Sequence, residues 1–148
     1  MCIRDSKISL PILTFLIAFL GGLSNSFTDW SWYESLEQSS LRPPNYIFGI
    51  VWPILYTLMA VVSFLQAKLI YKVYVVQLIL NGAWSWIFFA HQALTLALFD
   101  IIVLIILNVI ILNKLWTNNS YLSFFLYLPY VLWISFASYL NANLVFLN

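Results

Sequence analysis

The sequence predicts an all-α membrane protein, a bundle of five transmembrane helices, and three observations predict it. Of the 148 residues 64% are hydrophobic and 7% charged, against about 45–50% and about 25% in an ordinary soluble domain. The few charges bound long uncharged runs: 21 residues between Lys7 and Asp29, 25 between Arg42 and Lys68, and 27 between Lys72 and Asp100. Each is near the roughly 20 residues a helix needs to cross hydrocarbon. With five spans, almost all basic residues fall on one side. The same composition excludes a disordered chain, and a net charge of +1 without a basic patch excludes a nucleic-acid-binding one. The lone cysteine, Cys2, cannot close an intrachain disulfide.

The first span is expected at about 8–27, after residues 1–7 read as an N-terminal leader of which Met1–Ser6 fit no helix. A cleaved signal peptide is not expected, because the run is long and no small-residue cleavage site follows it. The only long loop, 28–45, holds Ser31-Trp32-Tyr33-Glu34, a Ser-x-x-Glu capping box able to start a short surface helix. Trp30, Trp32 and Tyr33 read first as an interfacial aromatic belt. Pro43-Pro44 forces an extended approach to the second span at 46–67. The 41 residues from Val73 to Asn113, broken only by His91 and Asp100, fit two spans, 73–92 and 95–115, joined by a tight turn near His91–Thr95. The last span is expected at 121–146.

This layout puts Arg4, Lys7, Lys68, Lys72 and Lys114 on one side and only Arg42 on the other, together with Asp29, Glu34, Glu37 and Asp100. The positive-inside rule then orients the N-terminus toward the cytoplasm, with a bacterial cytoplasmic membrane as the expected host.

Inside the spans, polar and aromatic residues recur at helical spacing. Gln77, Asn81, Trp84 and Phe88 share a face of the third span; Tyr130, Trp133, Ala137 and Asn141 share one of the fifth; Trp52, Tyr56, Met59 and Ser63 form a stripe on the second. Side-chain amides in hydrocarbon are costly unless paired, so these faces should turn inward and converge. Two readings stay open. The stripes build a site for a flat, largely apolar ligand, with ring faces to stack and sparse polar groups to orient it. Alternatively, the amides are interhelical glue and the rings packing.

Several multi-residue signatures then occur in order. They are Trp32-Tyr33; Arg42-Pro43-Pro44-Asn45-Tyr46-Ile47-Phe48-Gly49 with Val51-Trp52-x-x-Leu55-Tyr56-x-x-Met59; Gln77-Leu78-x-Leu80-Asn81-x-x-Trp84 with Phe88-Phe89; and Pro129-Tyr130-x-x-Trp133-x-x-Phe136-Ala137-x-x-Leu140-Asn141. From the first span to the end, the chain resembles the TspO/translocator protein family, also called tryptophan-rich sensory proteins or peripheral-type benzodiazepine receptors. The resemblance implies a five-helix membrane protein, often a homodimer. It also implies binding of porphyrins such as protoporphyrin IX and, in some members, of sterols and synthetic drugs. Carried over by motif, the pocket lining would include Trp52, Asn81, Trp84, Trp133 and Ala137, with Trp32 and Tyr33 as lid residues. With the stripe residues Tyr56, Phe88, Tyr130 and Asn141, these make up the candidate ligand-binding set.

The chain departs from the family in places. Where a Lys-Pro pair and an aromatic usually precede the double proline, it has Gln38-Ser39 and Leu41, which implies a looser lid or different ligands. No basic residue follows Tyr139, so the family's proposed sterol motif is incomplete. Basic-first variants at Lys68–Val73 and Arg42–Ile47 are weak patterns.

Other chemistry is sparse. The single histidine, His91, has no partner for haem ligation and reads as an interfacial or capping residue. Asp100 reads as an interfacial carboxylate or a bond to the loop. Gly21-Gly22 and Gly82-Ala83 permit close helix contact, a dimer seam included. Neither a catalytic set, a metal cluster nor a fixed cofactor is expected. The function expected is that of a membrane receptor or transporter-like protein that binds tetrapyrrole, sterol or another lipid within the bundle. The alternative is a light- or redox-dependent porphyrin-degrading enzyme, with a pocket tryptophan as redox partner.

Overall fold

In hydrocarbon every backbone N–H and C=O must find its partner within its own segment, so long apolar runs become helices. The computed structural model describes residues 3–148, with side chains from Lys7 onward. Its elements are α1 (Ile3–Leu23), extended by a 3₁₀ turn (Ser24–Phe27); α2 (Trp30–Ser35); α3 (Asn45–Leu65); α4 (Ala67–Ser85), extended by a π-helical turn (Trp86–Ala90); α5 (Leu94–Thr117); and α6 (Tyr121–Leu147). Five of these helices, α1 and α3 to α6, are long and apolar enough to cross a membrane. The chain is an all-α, five-span integral membrane protein.

Around the bundle the helices follow the order α1, α3, α6, α5, α4 and back to α1. Facing stripes fill the centre: Met59 and Val62 from α3, Tyr74 and Leu78 from α4, Ile101, Leu104 and Ile111 from α5, and Tyr127, Tyr130 and Ile134 from α6. The outward faces carry apolar side chains such as Phe15, Phe19, Ile50, Ile54, Ile106 and Leu132, as a bilayer solvent demands. Pro11, Pro53 and Pro129 lie inside helices, which membrane spans tolerate better than soluble ones.

Three boundaries differ from the sequence reading. The expected 68–72 loop is helix. The chain turns instead at Gln66 (φ −121°), whose amide donates to the Ser123 hydroxyl at 3.1 Å and accepts from the Ser120 hydroxyl at 3.4 Å. Lys68 and Lys72, four residues apart and both exposed, sit on one outward face of α4, where long apolar stems let the ammonium groups reach the membrane surface without ending the helix. The backbone of residues 3–7, expected within a leader, belongs to α1; Met1 and Cys2 lie outside the described residues. The N-cap of α2 is Asp29 rather than Ser31: its carboxylate accepts from the Ser31 and Trp32 N–H groups at 3.1 and 3.3 Å, a stronger, charged acceptor placed two residues earlier.

Two glycines, Gly21 of α1 and Gly82 of α4, let these helices approach closely. A Cβ at Gly82 would come within 3.1 Å of the Ile17 side chain, and one at Gly21 would lie 4.0 Å from the Gly82 Cα. Both absences of side chain go into the α1–α4 contact.

Candidate functional site

The inward aromatic stripes meet at the α2 end of the bundle and enclose a cavity of about 480 Å³, within the range of small-molecule sites. One wall is Phe48 and Trp52 of α3 against Trp133 of α6, with ring centroids 5.6 and 6.4 Å apart. The opposite wall is Trp84 and Phe88 of α4 at 4.9 Å, with Phe89 edge-on to both. The π-helical turn places the consecutive Phe88 and Phe89 both on the cavity, a local widening of the kind found at functional sites.

The floor is polar. Asn81 Oδ1 accepts from the Tyr56 hydroxyl at 2.5 Å, and Asn81 Nδ2 donates to the Tyr130 hydroxyl at 2.9 Å. The Tyr130 hydroxyl donates to Gln77 Oε1 at 2.7 Å, which also accepts from Asn108 Nδ2 at 3.1 Å, and the Tyr127 hydroxyl donates to Asn108 Oδ1 at 2.5 Å. The buried amide oxygens and hydroxyls of this network are thus paired across four helices, as their desolvation cost requires. Higher up, Trp84 Nε1 donates to Asn141 Oδ1 at 3.1 Å, and Asn141 Nδ2 donates to the Leu94 carbonyl at 3.0 Å. Two buried donors are left over: Gln77 Nε2 beneath the floor and Trp133 Nε1 on the wall have no partner.

The 28–45 segment closes over this cavity. Tyr33, buried, packs its ring on Phe89 at 5.5 Å. The Arg42 guanidinium lies 5.5 Å from the Tyr33 ring centroid, a cation–π distance, and Gln38 Nε2 donates to the Tyr33 carbonyl at 3.0 Å. Burial raises the Tyr33 phenol above its ordinary value, and Arg42 opposes that shift. The Ser31 hydroxyl and the Trp32 N–H hold the exposed Asp29 carboxyl below the usual carboxylate range. The segment is fastened to the C-terminus: the Glu37 N–H donates to Asn148 Oδ1 at 3.1 Å and Asn148 Nδ2 returns a bond to the Glu37 carbonyl at 3.0 Å.

Of the residues the sequence singled out, Tyr33, Trp52, Tyr56, Asn81, Trp84, Phe88, Trp133, Ala137 and Asn141 line the cavity. Two do not. Trp32 faces a separate shallow groove with Leu36 and Leu94, because adjacent residues of a helix point about 100° apart and Tyr33 already takes the inward direction. Tyr130 is fully buried behind Asn81 and reaches the cavity only through its hydrogen bond. Asp100 makes no bond to the loop; its Oδ2 is buried and unpartnered. His91 is exposed and follows the π-helical turn as its C-cap. Among the described residues no cluster of three or more His, Cys, Asp or Glu could hold a metal ion. The sequence reading missed Gln38, Arg42, Phe48 and Phe89 as lining residues. Arg42 carried a signal, as the single basic residue on its side of the membrane; Phe48 and Phe89 carried none, since nothing in an apolar run marks which ring turns inward.

Comparison with known proteins agrees with this architecture. The TspO/MBR family matches residues 10–147. The chain is 34% identical to the tryptophan-rich protein TspO of Archaeoglobus fulgidus over 96% of its own length and 97% of the relative's. It is 33% identical to the protein CrtK of Rhodobacter capsulatus over 88% and 87%, and 32% identical to the human translocator protein over 74% and 70%. With a match that runs almost end to end and five spans around an aromatic cavity, the chain belongs to the TspO/MBR family.

Proposed function

We propose that the protein is a membrane receptor or transporter-like protein that binds tetrapyrroles of the protoporphyrin IX class in the cavity beneath the 28–45 segment. The observation that carries this reading is the chemistry of the lining. Two aromatic walls, Trp52–Trp133 and Trp84–Phe88, offer ring faces to a flat apolar macrocycle. The Trp133 indole, packed against Phe48 and Trp52, adds ring surface to the first wall. Arg42, on the rim of the cavity, offers a partner to peripheral carboxylates. Porphyrin is here a ligand rather than a fixed cofactor. Sterols or other lipids without a carboxylate would use the walls and not the arginine. In this reading the protein is a homodimer in a bacterial cytoplasmic membrane, N-terminus in the cytoplasm. The grouping of Lys7, Lys68, Lys72 and Lys114 at the end of the bundle opposite Arg42 supports that orientation.

A second reading, light-dependent porphyrin degradation, is favoured by one observation: Trp52 and Trp133 stand edge-to-face at 6.4 Å on the cavity wall, where an excited macrocycle would meet an oxidisable ring. The test for both is a protoporphyrin IX titration of detergent-purified protein followed by tryptophan quenching, in darkness and under illumination. It is repeated with Asn81→Ala, Trp133→Phe and Arg42→Gln. Saturable dark binding that weakens in all three variants is expected. The Arg42→Gln loss should be about three- to fivefold, as for a partly exposed ion pair, and should vanish for the dimethyl ester. New absorbing products under light would move the conclusion to the enzyme, and unsaturable quenching alike in all proteins would refute the pocket.

A further inference from the structure

The lining of the cavity is not evenly covered. On α4 and α6 no lining residue is exposed: Asn81, Phe88, Ala137, Asn141 and Leu144 are buried and the others half-buried. The exposed members belong to α1 (Gly22, Asn25), to Trp30 at the start of α2, and to α3 (Asn45, Gly49, Pro53). Two of them are glycines, and a Cβ built on either meets no atom within 4 Å. This is the reverse of Gly21 and Gly82, whose missing side chains admit a neighbouring helix. Gly22 and Gly49 border open space.

Their depth is informative. Gly22 lies five residues inside the end of the first span at Phe27, and Gly49 four residues inside the start of the second at Asn45. At about 1.5 Å per residue both sit roughly 6–8 Å below that membrane surface, at the level of the upper acyl chains. The outward residues beside them, Phe19 and Leu23 on α1 and Tyr46 and Ile50 on α3, are exposed and apolar. Pro53, one turn on, withholds the N–H that the Gly49 carbonyl would otherwise accept from. At Gly22 and Gly49 the gap therefore faces lipid with no side chain across it.

We infer that the α1–α3 gap at Gly22 and Gly49 is a lateral portal, through which a flat amphiphile passes between the bilayer and the cavity while the 28–45 segment stays closed. The inference rests on the tetrapyrrole reading for its ligand. An amphiphilic macrocycle dissolved in the bilayer holds its rings among the upper acyl chains and its carboxylates at the headgroups. That is the height of the gap, with Arg42 on the rim above it. The paired bonds between Glu37 and Asn148 fasten the alternative route through the loop.

The test is stopped-flow transfer of protoporphyrin IX from phosphatidylcholine vesicles to the protein in nanodiscs. Filling the gap with Gly22→Leu and Gly49→Leu together is expected to slow association and dissociation at least tenfold in parallel; the alanine pair should slow them less. Leucines that merely crowded the seated ligand would speed dissociation, and that result overturns the portal. So does an unchanged rate in the leucine pair. In a Cys2→Ser background, cross-linking Glu37→Cys to Asn148→Cys should leave transfer intact; if it stops transfer, the route runs through the loop. A second measurement needs no ligand: acyl-chain-brominated lipid should quench wild-type tryptophan fluorescence more than that of the leucine pair. If wild type takes up no porphyrin, the tetrapyrrole reading falls while this quenching difference still decides the portal, equal quenching refuting it.

Discussion

The Asn81 side chain joins Tyr56 of α3 to Tyr130 of α6, accepting from one hydroxyl and donating to the other. It lies on the cavity floor and is 4% exposed, so it is at once ligand-facing and structural. Asn81→Ala leaves two buried hydroxyls each short of a partner, at an expected cost of about 1–3 kcal/mol. The measurement is the thermal unfolding midpoint in detergent. Tyr130→Phe, which removes a hydroxyl bonded to both Asn81 and Gln77, should lower it by a similar amount.

Trp133 behaves differently because its buried N–H has no hydrogen bond to lose. Trp133→Phe is expected to shift the unfolding midpoint less than Asn81→Ala does, while weakening protoporphyrin IX binding several-fold. Equal loss of stability in the two variants would show that the indole acts as packing.

The α1–α4 contact is set by Gly82. An alanine Cβ would stand 3.1 Å from the Ile17 side chain, so Gly82→Ala asks Ile17 to yield slightly, whereas Gly82→Leu must push the helices apart at a cost of about 1–3 kcal/mol. Ile17→Ala, by clearing that space, should recover part of the loss; a double-mutant cycle measured by unfolding reads the coupling.

The cap of α2 is pH-dependent with a definite sign. Hydrogen bonds to Ser31 and Trp32 lower the Asp29 pKa in the folded protein, so the cap contributes above the unfolded carboxylate value of about 3.9 and is lost as pH falls through the folded one. Hydrogen exchange at the Ser31 and Trp32 amides should therefore lose its protection in acid, and Asp29→Asn, which keeps an acceptor without a titrating charge, should show a flat profile.

How much was legible beforehand differs by feature. The five spans, the inward amides and the lining residues that sit on the α3, α4 and α6 stripes follow from hydropathy and a 3.6-residue period, because a buried Asn81 or Asn141 admits only one orientation in lipid. Where charge stood in for structure, the reading slipped: Lys68 and Lys72 suggested a loop, yet the break falls at Gln66. Ser31-x-x-Glu34 suggested a cap that Asp29 provides. Trp32 and Tyr33, adjacent in the chain, could not both face the cavity, and periodicity over a six-residue helix is too short to choose between them.

The solvent, the number of spans and the inward faces are written in the residue pattern, since these depend on transfer free energies summed along the chain. Which helices are neighbours, that Gly21 and Gly82 close a gap while Gly22 and Gly49 leave one, and that Gln77 and Trp133 each keep an unpaired N–H, emerge in the packed bundle alone. Those properties depend on the distance between side chains remote in sequence, which no local pattern encodes.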